Sequence, residues 1–199
     1  MTDWQALAER EAARFADGKA AAGYAAGLCF LMLGDEAAAH EWLARSAAAW
    51  RESYADAPPG SWGRPIGAIK ALVLAGDRPG AEDAARWALA EGTGESESPI
   101  GRYAAALACS VLRDWEHARV HADAIRIRDD FPRDVGDALA MVAAEDVVGY
   151  VGAVESVLAS FEDREAYLED VPVADTVLVL QALAAGRNMA AELTSDLLP

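Results

Sequence analysis

Apolar and polar positions along the chain follow a helical period almost throughout. An apolar helical segment runs into a short acidic turn, Gly34-Asp35, and the arrangement returns at Gly76-Asp77, Arg113-Asp114, Glu145-Asp146 and, in weaker form, Gly186-Arg187. These turns are spaced by 42, 37, 32 and 41 residues, which predicts diverged helix pairs with variable loops and not a regular tandem array. The flanks align as well. Seven residues before the first four turns stand Gly27, Ile69, Ala106 and Ala138, and four before stand Phe30, Leu72, Cys109 and Met141. Five after come Ala39, Ala81, Ala118 and Tyr150; nine after, Leu43, Ala85, Ala122 and Val154; twelve after, Ser46, Ala88, Ile125 and Val157. A period of 3.6 keeps these offsets on one face of each helix, so small residues let backbones approach while larger ones fill the seam.

Boundary signals agree with this reading. Thr2 with Gln5 forms a capping-box pattern before a first helix. Ser98-Pro99 places a cap and a first-turn proline at the start of a third unit, and Pro65 and Pro172 are placed at similar starts. Pro58-Pro59-Gly60 and Gly92-Thr93-Gly94 read as loops. The β-branched run TVLVL at 176–180 continues into QALAAG at helical spacing, so no strand is expected. The expected fold is all-α: one domain over 1–199, a right-handed stack of about four helix hairpins plus a final helix, in units 2–54, 62–92, 98–130, 133–167 and 172–199. The opening MTDWQALAEREAARF reads as a charged amphipathic helix and not as a secretory leader. The longest uncharged run, Ala20 to Gly34, falls short of the roughly 20 residues of a membrane span.

The turn-and-flank pattern resembles the tetratricopeptide helix-turn-helix repeat. YAAGLCFLMLGDEAAAHEWLARSAAAW, residues 24–50, carries the resemblance best. The tryptophan that opens that repeat is absent at its position, and the closing proline is mostly missing. The resemblance implies stacked helix pairs that present an extended binding face. The C-terminal part, DALAMVAAEDVVGYVGAVESVLASFEDREAY followed by PVADTVLVLQALAAGRNMAAELTSDLLP, is similar to the immunity family numbered forty-nine, the all-helical antitoxins of bacterial polymorphic toxin systems. That resemblance implies a protein that binds and neutralises a toxin without catalysis. It brings no catalytic residues with it.

Composition sharpens the exclusions. Alanine dominates the 53% of hydrophobic residues, which suits close helix packing. With 17 basic and 33 acidic side chains the net charge is −16, and Lys19 and Lys70 are the only lysines. Such a surface repels phosphate backbones and anionic lipid, so nucleic acid and membranes are poor partners. Many carboxylates with almost no lysine predict a salt-adapted, halophilic protein; an arginine-rich composition with an ordinary acidic surface is the other explanation. Cys29 and Cys109 lie far apart in apolar segments outside any metal or CxxC spacing, which predicts buried free thiols and a cytoplasmic location.

Candidate chemistry is sparse. His117 and His121, four apart on one helix with Asp114 nearby, form a partial zinc constellation that lacks further ligands. They read as a solvated helix face, as does His40, and no metal or cofactor is expected. Carboxylates gather at Asp129, Asp130, Asp134 and Asp137, and again at Glu162, Asp163, Glu165, Glu169 and Asp170, where paired acids would suit acid–base work. Arg128, Arg133 and Arg164 interleave with them, as on a salt-bridged surface. No glycine-rich stretch carries GK[ST] and no serine sits in GxSxG.

Trp42, Trp50, Trp87 and Trp115 read as packing residues, whereas Trp62, in a Gly/Pro loop, is the tryptophan expected to reach solvent. With Arg64, Lys70, Arg102 and Tyr103 on the first helices of units two and three, Trp62 forms the candidate partner-binding face. Arginine and aromatics are the side chains that most often anchor interfaces. Intramolecular ion pairs explain those cations equally well. The expected function is a non-catalytic protein-binding helical-repeat module of the immunity type. The alternatives are a metal-dependent or acid–base enzyme in a helical bundle and a regulator that binds a small ligand between helices.

Overall fold

In the computed structural model of the chain, which describes residues 2–16 and 18–199, 71% of the sequence is helical, and no strand occurs among the described residues. The helices are α1 (Trp4–Phe15), α2 (Ala20–Met32), α3 (Glu36–Tyr54), α4 (Gly63–Leu74), α5 (Arg78–Ala90), α6 (Pro99–Val111), α7 (Trp115–Arg126), α8 (Arg133–Ala144), α9 (Val147–Glu162) and α10 (Asp175–Ala185).

The acidic turns are one device used four times. Gly34, Gly76, Arg113 and Glu145 stand in the left-handed region, with φ of 72°, 70°, 61° and 59°. The next residue is in each case an aspartate that caps the following helix: Asp35, Asp77, Asp114 and Asp146 accept from the backbone N–H of Ala38, Gly80, His117 and Gly149. The aspartate N–H closes back on the preceding helix at the carbonyls of Phe30, Leu72, Cys109 and Met141. Helix C-terminus and helix N-terminus are thus both satisfied within two residues. The fifth turn differs from its expected position. Gly186 keeps helical φ, and Asn188 takes the left-handed conformation, φ 57°, with Met189 N–H donating to the Ala184 carbonyl. Asparagine tolerates that region, and no capping aspartate follows it. At the other end Asp3, not Thr2, caps α1 by accepting from Ala6 N–H, while Gln5 donates to Glu9.

Helices α2, α4, α6 and α8 touch one another in succession and form an inner layer; α3, α5, α7 and α9 alternate with them outside. The repeat offsets are the seam between layers. Leu43, Ala85, Ala122 and Val154 are fully buried, as are Ile69, Ala106 and Ala138. Gly27 is required by contact: a Cβ there would stand 2.6 Å from Leu43 Cγ.

After α9 the chain returns across the inner layer. The turn Leu168–Asp170 lies on α2, and Arg10 donates to the Glu169 carbonyl (2.7 Å) while Arg14 pairs with its carboxylate. Val171 and Val173 enter the core around Tyr24 and Leu28. Pro172 lies in this extended stretch, ahead of α10 and outside it. Helix α10 then packs on α4, α8 and α9, burying Val177, Val179 and Leu180 completely. Residues 190–199 fold back: the Ala174 N–H donates to the Leu197 carbonyl, and the Gln181 amide bonds both backbone groups of Ala191. The inner face is therefore filled by the chain itself. No helix among the described residues is long and apolar enough to cross a membrane.

Candidate functional site

The five residues expected to share one exposed face are divided by this return. Lys70, on α4, is buried beneath α10, where its ammonium pairs with the Asp175 carboxylate and donates to Thr176 Oγ1 (3.2 Å). The Tyr24 hydroxyl donates to the same Asp175 oxygen at 3.0 Å. Burial works against the Lys70 charge, but Asp175 beside it outweighs that and holds the ammonium above its ordinary range. Burial, reinforced by Asp175, pushes the Tyr24 phenol well above its usual value. Tyr103 is buried next to them, its ring 5.3 Å from that of Phe131. Lys70 and Tyr103 therefore cannot present themselves to a partner: Lys70 fastens α10 to the inner layer, and Tyr103 is buried beside it.

Arg64 and Arg102 are half-buried, and their guanidiniums are spent on the chain. Arg64 donates to the Ser53 carbonyl, and Arg102 to the Gly94 carbonyl (3.0 Å) and to His121 Nδ1 (3.2 Å). The exposed basic spot expected on this face does not form. The histidine pair is also split. His121 is buried against Arg102, and burial first, then the Arg102 charge, pushes its pKa down. His117 is exposed, and its hydrogen bond to Asp114 raises its pKa. Among the described residues no group of three or more His, Cys, Asp or Glu is placed to hold a metal ion. The two thiols are free and buried; burial raises Cys29 to about 12 and Cys109 to about 11. Within the two carboxylate groups, Asp130 pairs with Arg128, Asp137 with Arg126 and Arg133, and Glu169 with Arg14, while Glu162 accepts from Ser195.

Trp62 remains open, and the structure adds partners to it. Helix α3 outruns its neighbours, so Arg51 and Tyr54 stand beside the loop 55–62. Gly60, at φ 80°, reverses that loop, and the Ser61 hydroxyl ties it by donating to the Pro58 carbonyl (2.6 Å). Trp62 then faces Trp87 and Tyr54 across an open groove of about 710 Å³, whose walls also include Pro58, Pro59 and Glu91. The Tyr54 and Trp87 rings meet edge to face, with centroids 5.3 Å apart. Trp87 Nε1 donates to Glu91 (3.1 Å), and the Arg51 guanidinium lies over the Trp87 ring at 5.3 Å while pairing with Asp83. All three aromatic residues are half-buried. Trp87 reads as a packing residue from the sequence and Tyr54 carries no signal there; the one local signal is the Trp87–Glu91 spacing of four, which places an indole N–H beside a carboxylate.

These features define a stack of helix hairpins closed on its inner side and open at an aromatic groove on one edge. No family model matches the chain, and no curated protein or solved structure does so either.

Proposed function

We propose that the protein is a non-catalytic binding module that docks a segment of another protein in the groove of Tyr54, Trp62 and Trp87. The observation that carries this reading is the pairing of a filled inner face with an aromatic groove left open. Three rigid aromatic side chains offer large contact area at low entropic cost, the usual composition of an interface anchor. Arg51 at the groove is paired with Asp83, whereas Glu91 has only a neutral indole N–H as side-chain partner among the described residues, which gives the groove a negative rim on a chain of net charge −16. A basic or mixed segment is accordingly the better fit, in place of the acidic partner that an exposed Arg64–Lys70–Arg102 spot would have favoured. The toxin-neutralising role implied by the C-terminal resemblance is a special case of this reading, with a toxin as the partner.

The test is co-purification from the native organism with wild type and with the Trp62→Ala, Trp87→Ala double variant. The reading predicts a discrete protein retained by the wild type and lost by the variant, whose helical circular dichroism stays intact. Equal retention by both, or turnover of a small molecule with no protein retained, refutes it.

A further inference from the structure

A second cavity stands apart from the groove, at the end of the stack where α4, α6 and α10 finish. It measures about 190 Å³ and is walled by Leu72, Val73, Val111, Trp115 and Leu183, with Arg78 and Arg113 among its lining residues. For scale, a dry cavity of about 150 Å³ lined by aliphatic side chains takes up benzene. Leu183 is buried, whereas both arginines are exposed, so apolar walls lead out to a cationic mouth.

Arg113 is the residue here that the fold does not account for. It occupies the left-handed position of the third turn, where the first two turns use glycine. A side chain in that conformation carries a backbone cost that glycine avoids. Glu145, its counterpart in the fourth turn, gains an ion pair with Arg187 at 2.6 Å. Arg78 is likewise engaged, with Glu82 at 3.1 Å. Arg113 has no ion pair, side-chain hydrogen bond or ring partner among the described residues, on a chain with 33 carboxylates. An arginine in a costly backbone conformation at the rim of an apolar crevice, with its side-chain donors unspent among the described residues, is suited to a carboxylate brought by a ligand.

We propose that this crevice binds a small organic acid, its carboxylate on Arg113 and its apolar body between Val73, Val111, Trp115 and Leu183. The site is independent of the aromatic groove and goes beyond the protein-binding reading. It makes the protein responsive to a compound the size of benzoate. Because Trp115 opens α7 and Leu183 lies on α10, occupancy braces the inner layer, the outer layer and the returning segment against one another.

The experiment is titration of the isotope-labelled protein with benzoate and, separately, with its uncharged counterpart benzyl alcohol, followed by amide chemical shifts. Saturable benzoate shifts at Val73, Val111, Arg113 and Leu183 are expected, with benzyl alcohol at least tenfold weaker. Arg113→Gly and Arg113→Gln should each weaken benzoate at least tenfold. Arg113→Gly should do so without lowering the melting temperature, since glycine suits the turn. Ala182→Phe, at an exposed position on the rim, should exclude both compounds. Absence of saturable shifts, equal affinity for acid and alcohol, or unchanged benzoate affinity in the Arg113 variants overturns the proposal. A cation that serves only the C-terminus of α6 would give the first of these results and a lower melting temperature for Arg113→Gly.

Discussion

Replacing Asp175 by alanine tests how the returning segment is held. Asp175 is the first residue of α10, and its carboxylate satisfies the Lys70 ammonium and the Tyr24 hydroxyl at once. The Lys70 and Asp175 side chains are only 11% and 12% exposed, so water cannot replace a lost partner cheaply. Breaking a buried pair from one side costs about 3–5 kcal/mol, because the remaining charge is left uncompensated. For a chain of this size that corresponds to a fall of roughly 10 °C in melting temperature. Removing the phenol, the ammonium and the carboxylate together, as Tyr24→Phe, Lys70→Met, Asp175→Leu, leaves only the half-buried Thr176 hydroxyl without its partners and should return most of the loss, since apolar replacement of a buried pair is often neutral or better. Urea unfolding followed by circular dichroism gives the free energies, and amide exchange at Val177–Leu180 shows whether the loss is felt in α10. A cost under about 1 kcal/mol for Asp175→Ala, or a triple variant no better than the single one, would refute the view that this cluster pins α10 to the inner layer.

Three further outcomes follow from the packing and the charges. Gly27→Ala should destabilise by about 1–3 kcal/mol by overpacking against Leu43, whereas Gly152→Ala, whose new Cβ meets nothing within 4 Å, should stabilise α9 by about 0.5–1 kcal/mol; thermal melts of the two variants read the opposite signs. His121, with its folded pKa lowered, binds its proton more readily when unfolded, so its contribution is present above the unfolded value of about 6.5 and is lost as pH falls from there through the lower folded value; the urea midpoint measured at pH 7.5 and 5.5 should drop more on acidification in wild type than in His121→Asn. His117 has a raised pKa and the reverse dependence, so the comparison is made in a His117→Gln background. The net charge of −16 predicts a melting temperature that rises from low to molar potassium chloride, as the Debye length contracts to about 3 Å; an unchanged temperature means that carboxylate repulsion is not a significant cost.

What was legible in the chain was local. An aspartate after a left-handed residue is a two-residue event, so Asp35, Asp77, Asp114 and Asp146 announce their turns, and the seam offsets follow from helical period alone. The fifth turn misled because Gly186-Arg187 looks the part in composition, while the conformation is taken two residues later by Asn188. What could not be read was the return of α10. Lys70 and Asp175 stand 105 residues apart, and nothing near Lys70 marks it as paired. Its position on a first helix of a hairpin suggests an open face, and only the filling of that face by the TVLVL segment reverses the inference. The groove shows both situations. Trp62 is conspicuous because a Gly/Pro loop carries it, but Tyr54 and Trp87 belong to two different helices that only the α3–α5 packing brings to the same opening.

The proposed docking groove is tested most directly by photo-crosslinking in the native organism from two positions of the intact protein. A photoreactive phenylalanine replaces Pro59 in the wall of the groove, or Val148, the apolar residue 85% exposed at the start of α9. The groove account predicts a single discrete protein adduct from position 59, abolished by Trp87→Ala, and none from position 148. Adducts from position 148 alone, or an adduct at position 59 that persists without Trp87, would contradict it.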